Sequence, residues 1–139
     1  MTDIQHEIKI KAPLGKVLEA LSQQESLEKW HGAKAIVKPG EWQFVYPNGI
    51  EFRWQVVSSS PKSVDWRCVK GPGDSVGTEA KFKLSSTQSG HTLLEFTHAG
   101  WPGTHGNFRK CNTLWGGMLH QLKHEVERAA QRIESAAVH

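Results

Sequence analysis

The chain has 139 residues, a mass of 15.6 kDa and a formal charge of +3, which suits one domain, residues 1–139, with a real core. With 37% apolar and 22% charged residues it is neither collagen-like nor wholly disordered, and its longest apolar run of three residues is far too short for a membrane span or a signal-peptide core. No block of five like charges occurs, which argues against a nucleic-acid arm or a polybasic membrane anchor.

The opening residues, MTDIQHEIKIKAP, alternate like a strand and read as part of the fold, so the expected address is the cytoplasm. Residues 3–11 are the first predicted strand. Pro13 then suits the first turn of a helix over 13–22, where Val17, Leu18 and Leu21 recur at helical spacing. A second short helix, 25–30, carries Leu27 and Trp30. Strands follow at 33–38, 41–46, 50–59, 63–70, 77–86 and 91–98, separated by Pro, Gly, Asn and Ser turn signals. Trp42, Phe44, Phe52, Trp54, Trp66, Phe82, Phe96 and His98 fall on one face of these strands. Glu51, Arg53, Asp65, Arg67, Glu79, Lys81, Lys83 and Glu95 fall on the other. That is an antiparallel sheet with one solvated and one aromatic face. The last third supplies its cover. Phe108, Cys111, Trp115, Met118, Leu119, Leu122, Val126, Ala129 and Ile133 lie within about 100° of arc on a helix over 105–136.

The order of strand, two short helices, antiparallel strands and one long helix resembles the helix-grip fold of the SRPBCC or START-like superfamily. Ala12-Pro13, Leu27-Glu28-Lys29-Trp30, Lys38-Pro39-Gly40, Pro61-Lys62-Ser63-Val64, Thr97-His98-Ala99-Gly100-Trp101-Pro102 and Trp115-Gly116-Gly117-Met118-Leu119 sharpen the resemblance. They point to the branch related to activators of the heat-shock ATPase. The resemblance implies an α+β fold whose curved sheet of six to seven strands wraps a long C-terminal helix. It also implies binding of a small apolar or aromatic ligand, lipid-, polyketide- or flavonoid-like, between sheet and helix. The lining expected for such a site is Trp30, Trp42, Phe44, Phe52, Trp54, Trp66, Phe82, Phe96, His98, Trp101, Trp115, Met118, Leu119 and Leu122. A protein-interaction role toward a heat-shock ATPase, through the outer strand face bearing Arg53, Arg67, Lys81 and Lys83, is an alternative, with a monomer as the simplest state.

Candidate chemistry is sparse. His120 and His124 make an HxxxH pair, but they sit opposite the apolar stripe and lack an intervening carboxylate, so an exposed face without metal is expected. Cys68 and Cys111 have no CxxC spacing and read as free thiols. No nucleophile motif or phosphate loop occurs. No catalytic set and no cofactor are expected. His98 is the one inward-pointing titratable group. It either braces the loop to Trp101 or serves a ligand, and in a cyclase- or hydrolase-like alternative it moves a proton. His31, at the end of the second short helix, reads as a solvated loop residue or the rim of a cavity mouth. Gly116-Gly117 inside the long helix reads as close packing or as a hinge.

Overall fold

A computed structural model describes the backbone of residues 2–138 and the side chains of residues 2–132. The chain runs β1 (Thr2–Ile10), α1 (Leu14–Ala20), α2 (Gln24–His31), β2 (Lys34–Lys38), β3 (Glu41–Val45), β4 (Glu51–Ser60), β5 (Ser63–Lys70), β6 (Glu79–Ser86), β7 (Thr92–Trp101) and α3 (Asn107–Val138). The seven strands form one antiparallel sheet in the order β1-β7-β6-β5-β4-β3-β2. Strands β2 to β7 each pair with the next in sequence. Helices α1 and α2 carry the chain from β1 to the opposite edge, so β1 is left to pair with β7. Gly40, at φ +73°, makes the left-handed turn that reverses β2 into β3.

The period-two pattern decides the faces. Phe44, Trp66, Ala80, Phe82 and Leu94 have at most 0% relative exposure, while Arg67, Lys81, Lys83 and Glu95 between them point to solvent. Cross-strand ion pairs cover part of the outer face: Arg53 with Glu41 at 3.0 Å, Arg67 with Glu79 at 3.2 Å and Lys70 with Glu51 at 2.7 Å.

Helix α3 lies across the inner face and buries Cys111, Trp115, Met118, Leu119, Leu122 and Val126. Two polar clamps hold it to the free edge of β1: the Lys11 amide donates to Glu127 Oε2 at 2.7 Å, and Lys123 Nζ donates to the Lys9 carbonyl at 2.7 Å. These contacts also occupy edge groups that would otherwise be open to strand pairing. Ala129 departs from the expected stripe and is exposed, because an open groove of about 290 Å³ separates it from α1 and α2; Ala130 packs against the core instead. The Ile133 side chain lies outside the described residues. Strand β7 continues to Trp101, three residues past its expected end, because Thr2 pairs with Trp101 and Glu79 with Ala99.

Candidate functional site

Every residue of the expected lining is buried. Most converge on one ring cluster between sheet and α3. Trp66 sits 4.8 Å from Phe82, 5.9 Å from Trp54 and 6.3 Å from Trp30, centroid to centroid. Trp115 drops from α3 onto Phe96 at 4.2 Å. Phe44 joins through His31, Trp101 through His98 at 4.8 Å. Leu119 and Leu122 are buried on the same face of α3, further along the helix, without bordering the remaining space.

That space is small. It measures about 10 Å³, roughly the volume of one water, where small-molecule sites span about 300–1,000 Å³. Phe52, Trp54, His98, Trp115 and Met118 border it, with His31, Tyr46, Cys111 and Leu114, and none of these side chains carries a charge at neutral pH. Large rings from the strands interdigitate with Trp30 and Trp115 and fill most of the room, so the space left is far smaller than the broad cavity expected from the sequence. Trp42 belongs elsewhere: it lines a separate crevice of about 390 Å³ between α1 and strands β3 to β5, with Leu18, Val56 and Val64.

His98 is a bracing residue with both nitrogens engaged. Trp115 Nε1–H donates to Nδ1 at 2.8 Å. Nε2 then carries the ring proton and donates to Thr78 Oγ1 at 2.6 Å, and that hydroxyl donates to the Ser75 carbonyl at 2.6 Å. Burial lowers the pKa of His98 to about 3, and a second ring proton would face the indole N–H. At neutral pH both ring nitrogens are therefore taken up by bonds within the fold.

His31 corrects the expectation of a solvated loop residue. It is 4% exposed, and it stacks on Phe44 with centroids 3.8 Å apart and planes 13° apart. Helix α2 continues one residue further than expected, and Gly32 ends it at φ +66°. His31 is therefore helical and on the inner face with Leu27 and Trp30, at the four- and one-residue steps of a buried stripe. That spacing was the available sequence signal. Its Nδ1 meets the Leu27 carbonyl at 2.9 Å, whereas Nε2 is buried with no partner. Burial also lowers its pKa to about 3.

Tyr46 and Met118 close the outer side of the space, the hydroxyl donating to the thioether sulfur at 3.6 Å. Burial pushes the Tyr46 hydroxyl pKa up. Cys68 and Cys111 are free and buried; burial raises their thiols to about 11 and about 12. His120 and His124 are exposed on α3, and among the described residues no three His, Cys, Asp or Glu side chains gather as a metal site. No helix among the described residues is long and apolar enough to cross a membrane.

The family model described as "Activator of Hsp90 ATPase homolog 1-like protein" matches residues 11–127. No curated protein matches the chain. The solved Aha1 dimer of Colwellia psychrerythraea is 30% identical with a TM-score of 0.80, over 91% of this chain and 97% of that one. A Mesorhizobium loti protein is 22% identical, with a TM-score of 0.78 over 91% of this chain and 98% of its own. The AHSA1-like protein of Aeromonas hydrophila is 19% identical with a TM-score of 0.72, over 92% and 94% of the two chains.

Proposed function

The chain belongs to the Activator of Hsp90 ATPase homolog 1-like family, and we propose that it binds a small, flat, largely apolar molecule between the sheet and α3. One observation carries this reading. His31 Nε2, Trp66 Nε1 and Trp101 Nε1 are buried in the aromatic interior without hydrogen-bond partners. Buried polar atoms are paired in the great majority of native cores, and each orphan costs about 1–3 kcal/mol. Of the three, His31 borders the interior space, and a guest entering there is suited to bring the partner it lacks. The closed space must open to admit it. Its outer wall is the soft part: Tyr46 and Leu114 are half-buried, and Met118 is unbranched and pliable. Opening lowers apparent affinity by the fraction of open molecules. Native mass spectrometry of freshly purified protein tests the reading. A retained small molecule supports it. Protein at its bare mass, with no response to a broad apolar panel, removes it.

A protein-interaction role is the second reading. Its own observation lies on the outer sheet face, where a shallow depression of about 590 Å³ is lined by Lys62, Lys81 and Lys83 beside Asp65 and Glu95, the three lysines being in no ion pair among the described residues. Arg53 and Arg67, expected in the same role, are instead held by Glu41 and Glu79. An acidic surface of a heat-shock ATPase would complement those lysines. Losing such an interaction on reversing Lys81 and Lys83 to Glu, with folding intact, is the outcome that would favour it.

A further inference from the structure

The bonding of His31 fixes the sign of the unpaired polarity at the interior space, which the unpartnered indoles of Trp66 and Trp101 do not border. Its Nδ1 lies 2.9 Å from the Leu27 carbonyl, and a carbonyl only accepts, so Nδ1 carries the hydrogen. In the neutral ring Nε2 is then a bare lone pair. It is an acceptor with no donor, on a side chain 4% exposed that borders the interior space. Stacking on Phe44 at 3.8 Å and the helical anchor at Leu27 leave the ring little freedom to turn this atom elsewhere. Other nearby polar atoms do not answer it. His98 is saturated by Trp115 and Thr78, and the Tyr46 hydroxyl is directed to the Met118 sulfur.

The same wall lacks any charge. No Lys, Arg, Asp or Glu borders the space. A carboxylate or phosphate placed there would be desolvated with no cation to compensate, a cost of several kcal/mol, and its lone pairs would face the lone pair of His31. A hydroxyl group would supply the missing hydrogen, and the ring attached to it would stack within the aromatic cluster.

We propose that His31 is the recognition residue of the interior site and that the guest is a neutral hydroxylated aromatic, its O–H donating to His31 Nε2, rather than an anionic lipid. This rests on the ligand-binding reading above and adds the chemical class of the ligand.

The test uses three probes sharing one ring system: naphthol, naphthalene and naphthoate, titrated at neutral pH into the intact protein and its His31→Leu variant by tryptophan fluorescence. Naphthol is expected to bind roughly tenfold tighter than naphthalene, the gain from one buried hydrogen bond, and naphthoate weakest. In His31→Leu, naphthol and naphthalene are expected to become equal. The imidazole nitrogen signals of the native protein give a second readout that needs no variant: naphthol, and not naphthalene, shifts the Nε2 resonance of His31. Equal affinities for all three probes, or tightest binding of naphthoate, overturns the inference while leaving a ligand site in place. A naphthol preference that persists in His31→Leu, or an unmoved Nε2 signal, overturns the role of His31. Binding of none of the three removes the ligand reading itself, and this inference with it.

Discussion

Trp115 on α3 donates its indole N–H to His98 Nδ1 on β7 at 2.8 Å, so the long helix is joined to the sheet by a buried hydrogen bond as well as by apolar packing. His98 is 0% exposed and Trp115 is 2% exposed, so neither atom has water as a substitute. Trp115→Phe keeps most of the ring and removes the donor. It should cost roughly 2–4 kcal/mol, combining the orphaned nitrogen with the trimmed volume. His98→Ala should cost at least as much, because it strands Trp115 Nε1 and leaves a cavity where the buried ring stood. Urea unfolding measures both. Wild-type midpoints in these variants would show that the bond contributes nothing.

The two buried histidines set a pH dependence. His31 and His98 each have a pKa near 3 in the fold against an ordinary 6.5, in both cases through burial. The unfolded chain therefore binds protons that the native state refuses. Their contribution to stability is complete above about pH 6.5, declines as pH falls through the window to about 3, and is lost below it. Each ring adds a slope approaching ~1.4 kcal/mol per pH unit inside that window. Replacing either ring should flatten the curve between those limits. A denaturation midpoint that stays level from neutral pH down to mild acid would contradict the buried, neutral assignment.

Much of this architecture is legible in the sequence. Alternation placed Trp54, Trp66, Phe82 and Phe96 inward, and the stripe from Cys111 to Val126 identified the covering helix. Both signals are local periodicities, which sequence records directly. His31 was missed because its burial depends on Phe44 and Trp66, which β3 and β5 bring over α2 from far along the chain. The Leu27–Trp30–His31 spacing pointed inward, but a histidine beside Gly32 fits a loop equally well. The free volume was not legible at all. Whether rings from seven elements leave about 10 Å³ or a large cavity depends on how they interdigitate, and no single segment encodes that.

Trp54 bears on this packing. It is 3% exposed and touches Phe52, Trp66, His98 and Trp115. In a filled interior Trp54→Ala should lose the full ~3–5 kcal/mol of a large-to-small core change. The new void should then accept an apolar guest such as indole, restoring part of the melting temperature. A loss under about 1 kcal/mol would mean that Trp54 already faced empty space.

The thiols report opening. Cys111 borders the interior space, and its pKa is about 12 because of burial, with lesser contributions from Cys68 and Asp74. Cys68 is held near 11, again chiefly by burial. Neither should react with a thiol reagent at mildly alkaline pH on the timescale of the unfolded chain, and a bound guest should slow Cys111 further or leave it unchanged. Rapid native-state modification of Cys111 alone would place the opening motion at α3, whereas equal rapid modification of both would indicate that the interior is not closed.

The six indole N–H resonances offer the most direct test of ligand binding in the interior. A flat hydroxylated aromatic titrated into labelled protein should move the side-chain signals of Trp54 and Trp115, which border the space, and of Trp66, stacked beside His31, while the amides of Lys81, Lys83, His120 and His124 stay in place. Shifts confined to the outer face around Lys81 and Lys83, with the three indoles unmoved, would contradict it.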